Sequence, residues 1–176
     1  MIVGATIPLV VVGFVVNYAN WHWLTVVTTL AWANIGFAGL LWTADRFGGQ
    51  LHGLANLRWS AAMGIGLMQI FALIPGASRS GVTITAARFF GYDRVTAARF
   101  SLLLSFPAIT GAGLLKINGI IDSGDVQLGV DVAMVAALSA LIAWLAIRVM
   151  MSWLARANFT IFVIYRLALG IVILLG

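Results

Sequence analysis

The sequence has no cysteine, no glutamate, one lysine and three prolines, and only 9% of its 176 residues are charged. Without cysteine, disulfides, thiolate metal sites and thiol nucleophiles are excluded. So small a charged share also excludes an ordinary soluble domain, in which it is nearer a quarter. What fills the chain is apolar: 62% of residues are hydrophobic and the mean hydropathy is +1.08. Five segments stay apolar over roughly 15 to 24 residues, close to the ~20 that a helix needs to cross ~30 Å of hydrocarbon. Ten Lys and Arg against five Asp leave a net charge of +5. No basic cluster stands apart from the apolar segments, so a membrane surface, and not nucleic acid, is the expected partner. No charged leader with a small-residue cleavage site precedes a short apolar stretch, so no removable signal peptide is expected.

The expected fold is all-α: a polytopic integral membrane helix bundle of about five spans plus one re-entrant helix-loop-helix, forming a single membrane domain over residues 1–176. The spans run from about Ile2 to Val16, Trp23 to Ala44, Phe100 to Ile121, Val132 to Ala155 and Phe159 to Leu175. Trp21, Trp23 and Trp42 suit an interfacial aromatic belt, and Pro107 predicts a kink. Asp122, Asp125 and Asp131 predict an acidic loop. The hairpin is expected over residues 59–92, where an apolar stretch from Trp59 to Pro75 breaks at Gly76-Ala77-Ser78-Arg79-Ser80-Gly81 and resumes from Val82 to Tyr92. Proline and glycine end its first helix, and Ser80 is a plausible N-cap for its second. If the chain turns back here, Arg46, Arg58, Arg94, Arg99 and Arg156 share one side and the acidic loop takes the other, as the positive-inside rule asks. If it crosses, that segregation disappears.

Arg79 is the most informative residue. It has about 17 apolar residues before the break and 11 after it. A guanidinium in such surroundings costs ~2.5 to 3.5 kcal/mol on insertion scales, so it needs a partner or water. With no glutamate and five aspartates at loops or span ends, a bound anion is the natural partner. The amides opening the second short helix favour negative charge, and Ser78, Ser80 and Thr83 add hydroxyls within one turn. Arginine also offers a planar fork for two phosphate oxygens. A second reading stands beside this one: Gly76, Ser78, Ser80 and Gly81 as small residues for close helix packing, with Arg79 snorkelling to an interface. Lys116 and Arg148 suit snorkelling. Arg166, deeper in its span, suits either a bond to a carbonyl or a share in a phosphate site. Gln69 should face protein because its amide needs partners. His22 and His52 suit solvated or interfacial roles.

Pro75-Gly76-Ala77-Ser78-Arg79-Ser80-Gly81-Val82-Thr83 resembles the P-G-x-S-R-S-x-x-T signature of the undecaprenyl-diphosphate phosphatase, or bacitracin-resistance, family, matching at all nine positions. Gln69 to Ile74, Ala98-Arg99-Phe100-Ser101 through Pro107, Gly111-Ala112-Gly113 and Tyr165-Arg166 are similar to the family's flanking text. The resemblance covers the C-terminal two-thirds of the usual length. It implies a partial inverted-repeat, transporter-like fold in the bacterial inner (plasma) membrane, crossed several times. It implies hydrolysis of undecaprenyl diphosphate to the monophosphate, which recycles the lipid carrier for peptidoglycan and bears on cell shape and bacitracin resistance. By position, Arg79, Ser78 and Ser80 take the catalytic roles, and Gly76, Ser78, Arg79, Ser80, Gly81, Thr83 and Gln69 bind substrate. A polyprenyl diphosphate lipid and the membrane are the implied partners, with a homodimer as a further expectation.

The resemblance also implies a divalent cation, magnesium or calcium. The acidic E/Q-x-x-x-E motif and the serine- and histidine-bearing hairpin associated with it have no counterpart in this chain, so no residue here is assigned as a metal ligand. With Met1 entering directly into an apolar segment, this leads to the expectation of a fragment, or of a start at an internal methionine, of a full phosphatase. Two alternatives remain: a lipid transporter or flippase, and an inactive truncated remnant.

Overall fold

The computed structural model describes residues 1–18, 27–49, 53, 56–123 and 126–175. His22, His52, Asp125, Trp21 and Trp23 lie outside the described residues, as do the side chains of Lys116 and Asp122. Among the described residues seven α-helices follow one another: α1 (Ile2–Tyr18), α2 (Val27–Phe47), α3 (Trp59–Met68), α4 (Arg79–Phe89), α5 (Arg94–Ser123), α6 (Val126–Leu154) and α7 (Thr160–Leu175). A short 3-10 segment, Gln69–Leu73, prolongs α3, and among the described residues there is no strand. Two helices, Val27–Phe47 and the Val130–Leu154 part of α6, are long and apolar enough to cross a membrane. Ile2–Val16, Trp59–Leu73 and Thr160–Leu175 are shorter apolar helices.

One expectation is corrected. The acidic loop expected over Asp122, Asp125 and Asp131 shrinks, because α5 continues to Ser123 and α6 begins at Val126, which leaves Asp131 inside a helix. Its side chain is exposed there, so the helix need not end to keep a carboxylate wet. Helix α5 also runs as one element through Pro107.

Alanines dominate the buried surface. One core cluster gathers Ala5, Ala61, Ala62, Ala86, Ala87 and Ala97 around Ile65, Phe100 and Leu104, joining α1, α3, α4 and α5. The other joins Ala38 and Leu41 of α2 to Ala98, Leu154, Phe159 and Val163. Small side chains let helix axes approach closely, which is how helices associate where lipid removes the hydrophobic drive between them. The large apolar side chains mostly face outward, and along α6 from Val130 to Val149 none is buried.

Helix α3, the 3-10 segment and α4 form a hairpin whose two ends meet. The Arg58 amide donates to Tyr92 Oη at 3.2 Å, and the hydroxyl of Tyr92 donates to Asn56 O at 3.4 Å. At the same end of the molecule Asp45, closing α2, receives Arg94 Nε at 2.7 Å and Nη2 at 3.2 Å, and the Phe159 amide at 3.2 Å. Arg88, fully buried, lies 3.4 Å from the same carboxylate and donates to the carbonyls of Gly49, Tyr92, Asp45 and Gly48 at 2.6 to 3.2 Å. One carboxylate and one guanidinium thus tie together the ends of α2, α4, α5 and α7. Removing one member of a buried pair costs about 3 to 5 kcal/mol, since the charge left behind stays desolvated. Asp45→Ala should therefore lose about that much stability in a denaturant titration in detergent, and wild-type stability would show that the node does not hold these helices.

Candidate functional site

The turn from Ile74 to Ser78 is the point where the hairpin reverses. Gly76 has φ +90°, a left-handed conformation, and a Cβ there would collide with the backbone oxygen of Leu30 in α2. Both facts require glycine. Leu30 in α2, which the turn touches, lies 15 residues before Asp45. At 1.5 Å per residue this puts the turn roughly 22 Å along α2 from the charged end of the molecule.

Ser78, and not Ser80, caps α4. Its Oγ accepts the Gly81 amide at 3.3 Å, and its φ is +64°. The expected cap moves back two residues because the chain turns into the helix at Ser78, which makes Arg79 and Ser80 the first and second helical residues. Since Ser78 Oγ acts as an acceptor toward Gly81, its own hydrogen is left to donate. Ser80 is exposed in the first turn. Arg79 is half-buried, and among the described residues its guanidinium has no hydrogen bond or ion pair.

Thr83 is buried and is not among the residues that line the cavity beside Ser78 and Ser80 described below. Its hydroxyl lies 2.7 Å from Ser101 Oγ of α5 and reaches the Arg79 and Ser80 carbonyls at 2.9 and 3.2 Å. It braces the first turn of α4 from behind. Thr85 is satisfied in the same way, by the Gly81 carbonyl at 2.7 Å. Gln69 is fully buried, and neither atom of its amide finds a partner among the described residues.

Arg166 of α7 reaches the turn from the far side. Its Nε donates to Asn34 Oδ1 at 2.8 Å, and its Nη2 donates to the carbonyls of Gly76 and Ala77 at 2.7 and 2.9 Å. Of the two roles open to it from sequence, the bond to a carbonyl is therefore observed. Beside it is a cavity of about 150 Å³ lined on one side by Ser78, Ser80, Gly81 and Arg166, and on the other by apolar residues including Leu41, Met150 and Phe162. Arg79 is not among the lining residues. The sequence did not single out Arg88, although the signal was present: it too is a guanidinium inside an apolar stretch.

Ser78, Ser80 and Arg166 bring two hydroxyls and a guanidinium to the edge of the cavity, whose surface is otherwise almost wholly apolar. It has no carboxylate or imidazole, and among the described residues no group of three or more His, Cys, Asp or Glu could hold a metal. Asp45 is engaged by Arg88 and Arg94. These donors do not fit a divalent cation.

The bacitracin resistance protein BacA family model matches residues 1–172. The chain belongs to that family. Among curated relatives, the undecaprenyl-diphosphatase of Alcanivorax borkumensis is 46% identical over 173 residues, covering 97% of this chain and 64% of the relative. That of Chromohalobacter salexigens is 45% identical over 175 residues, covering 99% and 65%. That of Desulforudis audaxviator is 43% identical over 173 residues, covering 98% and 65%. The chain thus spans just under two thirds of the length of these relatives. Within the family frame, the nine-position motif is the turn and first helical turn described above.

The left-handed backbone at Ser78 separates its two roles. A non-glycine residue there costs of order 1 kcal/mol, and losing the capping oxygen costs about 1 kcal/mol. Ser78→Gly removes the cap but relieves the backbone and should fold with near wild-type stability. Ser78→Ala keeps the strained backbone and should lose about 1 kcal/mol. Parallel unfolding titrations check this, and equal stabilities for the two variants would refute it.

Proposed function

We propose that this chain takes part in hydrolysing undecaprenyl diphosphate to undecaprenyl phosphate and phosphate, and that the turn at Gly76 to Gly81 is where the diphosphate binds. One observation carries this reading: a break between two short helices gathers two serine hydroxyls, a helix N-terminus and a guanidinium around one cavity, with the unpartnered Arg79 in the same first turn. All of these are donors, and a diphosphate offers only acceptors. In this reading Arg79 and Ser80 hold the terminal phosphoryl with Ser78. Their hydrogen bonds stabilise the charge that develops as water oxygen bonds to phosphorus and the bridging oxygen leaves on the lipid monophosphate. Gly76 and Gly81 keep the backbone close enough to contribute, while Thr83 and Gln69 support the turn.

The lipid part of the reading draws on the other wall of the cavity. Met150 and Phe162 also line a wider groove of about 900 Å³ between α6 and α7, formed by residues such as Ile142, Leu145, Val149 and Tyr165. An amphiphile with an anionic head suits that pairing of surfaces. The names of the relatives supply the polyprenyl identity.

The hairpin over residues 59–92 is proposed to enter and leave on the same side of the bilayer, because both its ends sit with the arginine-rich ends of α2 and α5 while its turn lies roughly 22 Å away, short of the ~30 Å of a full crossing. Multi-pass insertion in the bacterial inner membrane, five spans and an inverted-repeat relationship belong to the same proposal, as does a homodimer. A divalent cation would have to find its ligands outside the cavity described.

The test is phosphate release from undecaprenyl diphosphate in proteoliposomes. Wild type should release phosphate, and Arg79→Ala should do so at least about a hundredfold more slowly, the scale on which loss of one oriented donor acts. A protein that moves the lipid between leaflets without releasing phosphate, and stops moving it when Arg79 is removed, would be a carrier instead.

A further inference from the structure

Arg166 uses only part of its guanidinium on the protein. Nε and Nη2 make the three bonds to Asn34, Gly76 and Ala77, but Nη1 has no partner among the described residues, although the residue is only 8% exposed. An unpaired, buried N–H of a charged group is costly, and native structures rarely leave one without a purpose. Its position gives it one. A Cβ placed on Gly81 would lie 2.5 Å from Arg166 Nη1 and 3.5 Å from Ser78 Oγ. The free nitrogen and the capping hydroxyl thus both pack around Gly81 at the opening turn of α4, and their residues line the cavity. Glycine at position 81 is what lets Nη1 come so close, since a Cβ there would collide with it.

We propose that Arg166 is a ligand-binding residue of this site as well as its brace: two of its nitrogens fix the turn, and the third binds a phosphoryl oxygen held in the cavity beside Ser78. The proposal rests on the reading of the cavity as a diphosphate site and adds to it a residue from a different helix, about 85 positions along the chain from the motif. The ligand chemistry is a phosphoryl group, whether on a lipid or free.

The experiment measures binding of two probes to the purified full chain in detergent by calorimetry: inorganic pyrophosphate and farnesyl diphosphate. Wild type is expected to bind farnesyl diphosphate, and pyrophosphate as well if the head group alone suffices. Arg166→Lys, which keeps a charge but cannot both brace the turn and present a nitrogen to the cavity, should weaken binding by about tenfold or more, the usual worth of a hydrogen bond to a charged group. A purely structural arginine is distinguished by a second readout, phenylglyoxal modification mapped by mass spectrometry. Arg166 should react and be protected by the bound probe, while Arg88, with both terminal nitrogens bonded, should stay unreactive throughout. Should Arg166→Lys fail to fold, Gly81→Ala decides, because its methyl would collide with Nη1 and displace it with the arginine charge still present, and the same loss is expected. Wild-type affinity in Arg166→Lys or in Gly81→Ala, or modification of Arg166 that the probe does not slow, would overturn the proposal and leave the diphosphate reading standing through Arg79. Failure of wild type to bind either probe would overturn both.

Discussion

The structure depends on how a broken helix satisfies its carbonyl oxygens away from water. At the turn, Gly76 and Ala77 present oxygens that no helix can take, and an unsatisfied polar group in a hydrocarbon setting costs several kcal/mol. Arg166 binds both. That requirement fixes α7 against the turn, and through the bond to Asn34 it fixes α7 against α2 at the same depth. The closeness of the turn to α2 then forbids a side chain at Gly76. The shape of the hairpin, the place of the last helix and the identity of the glycine are one solution to one hydrogen-bonding problem.

Three arginines divide the work of charge in a chain that has few acids. Arg88 turns its guanidinium on four carbonyls and one carboxylate at the end where helices meet. Arg166 turns most of its own on the broken backbone. Planar forks suit both tasks, since several donors of fixed geometry can meet several carbonyls at once, which a lysine ammonium does less well. Arg79 is the one of the three that the protein leaves unpaired, and it sits in the turn where a ligand would supply the missing charge. The scarcity of carboxylates is thus informative: among the described residues Asp45 serves both Arg88 and Arg94, and no acid reaches Arg79.

Much of this was legible in the sequence for reasons that can be named. The alternation of long apolar runs with arginine-bearing ends reports helices and their grouping, because the membrane allows few other arrangements. The run Pro75 to Gly81 reports a break, since proline and glycine cannot continue a helix there. What stayed hidden depends on direction, which spacing does not encode. Ser78 and Ser80 are both good capping residues, and only the left-handed backbone at Ser78 decides between them. Thr83 shares a turn with the serines, but its hydroxyl is taken up by Ser101 of α5. Arg88 went unremarked because it lies next to the motif in a stretch that reads as an ordinary helix. Asp131 was assigned to a loop because acids cluster there, whereas an exposed carboxylate is indifferent to whether its backbone is helical.

The double use of Arg166 has a consequence for how the site behaves. A guanidinium whose Nε and Nη2 are committed cannot swing toward a ligand, so its remaining nitrogen is held in place before any ligand arrives. Donors fixed in advance gain most from a low-dielectric setting, because no reorganisation is needed when charge develops. The same rigidity makes the turn and the ligand mutually dependent: an anion held by Nη1 and by the hydroxyl of Ser78 adds to the forces keeping Gly76 and Ala77 against Arg166. A site built on side chains that only met the ligand would lack that coupling. Here the residue that repairs the broken helix is also aimed at what the break was made to hold.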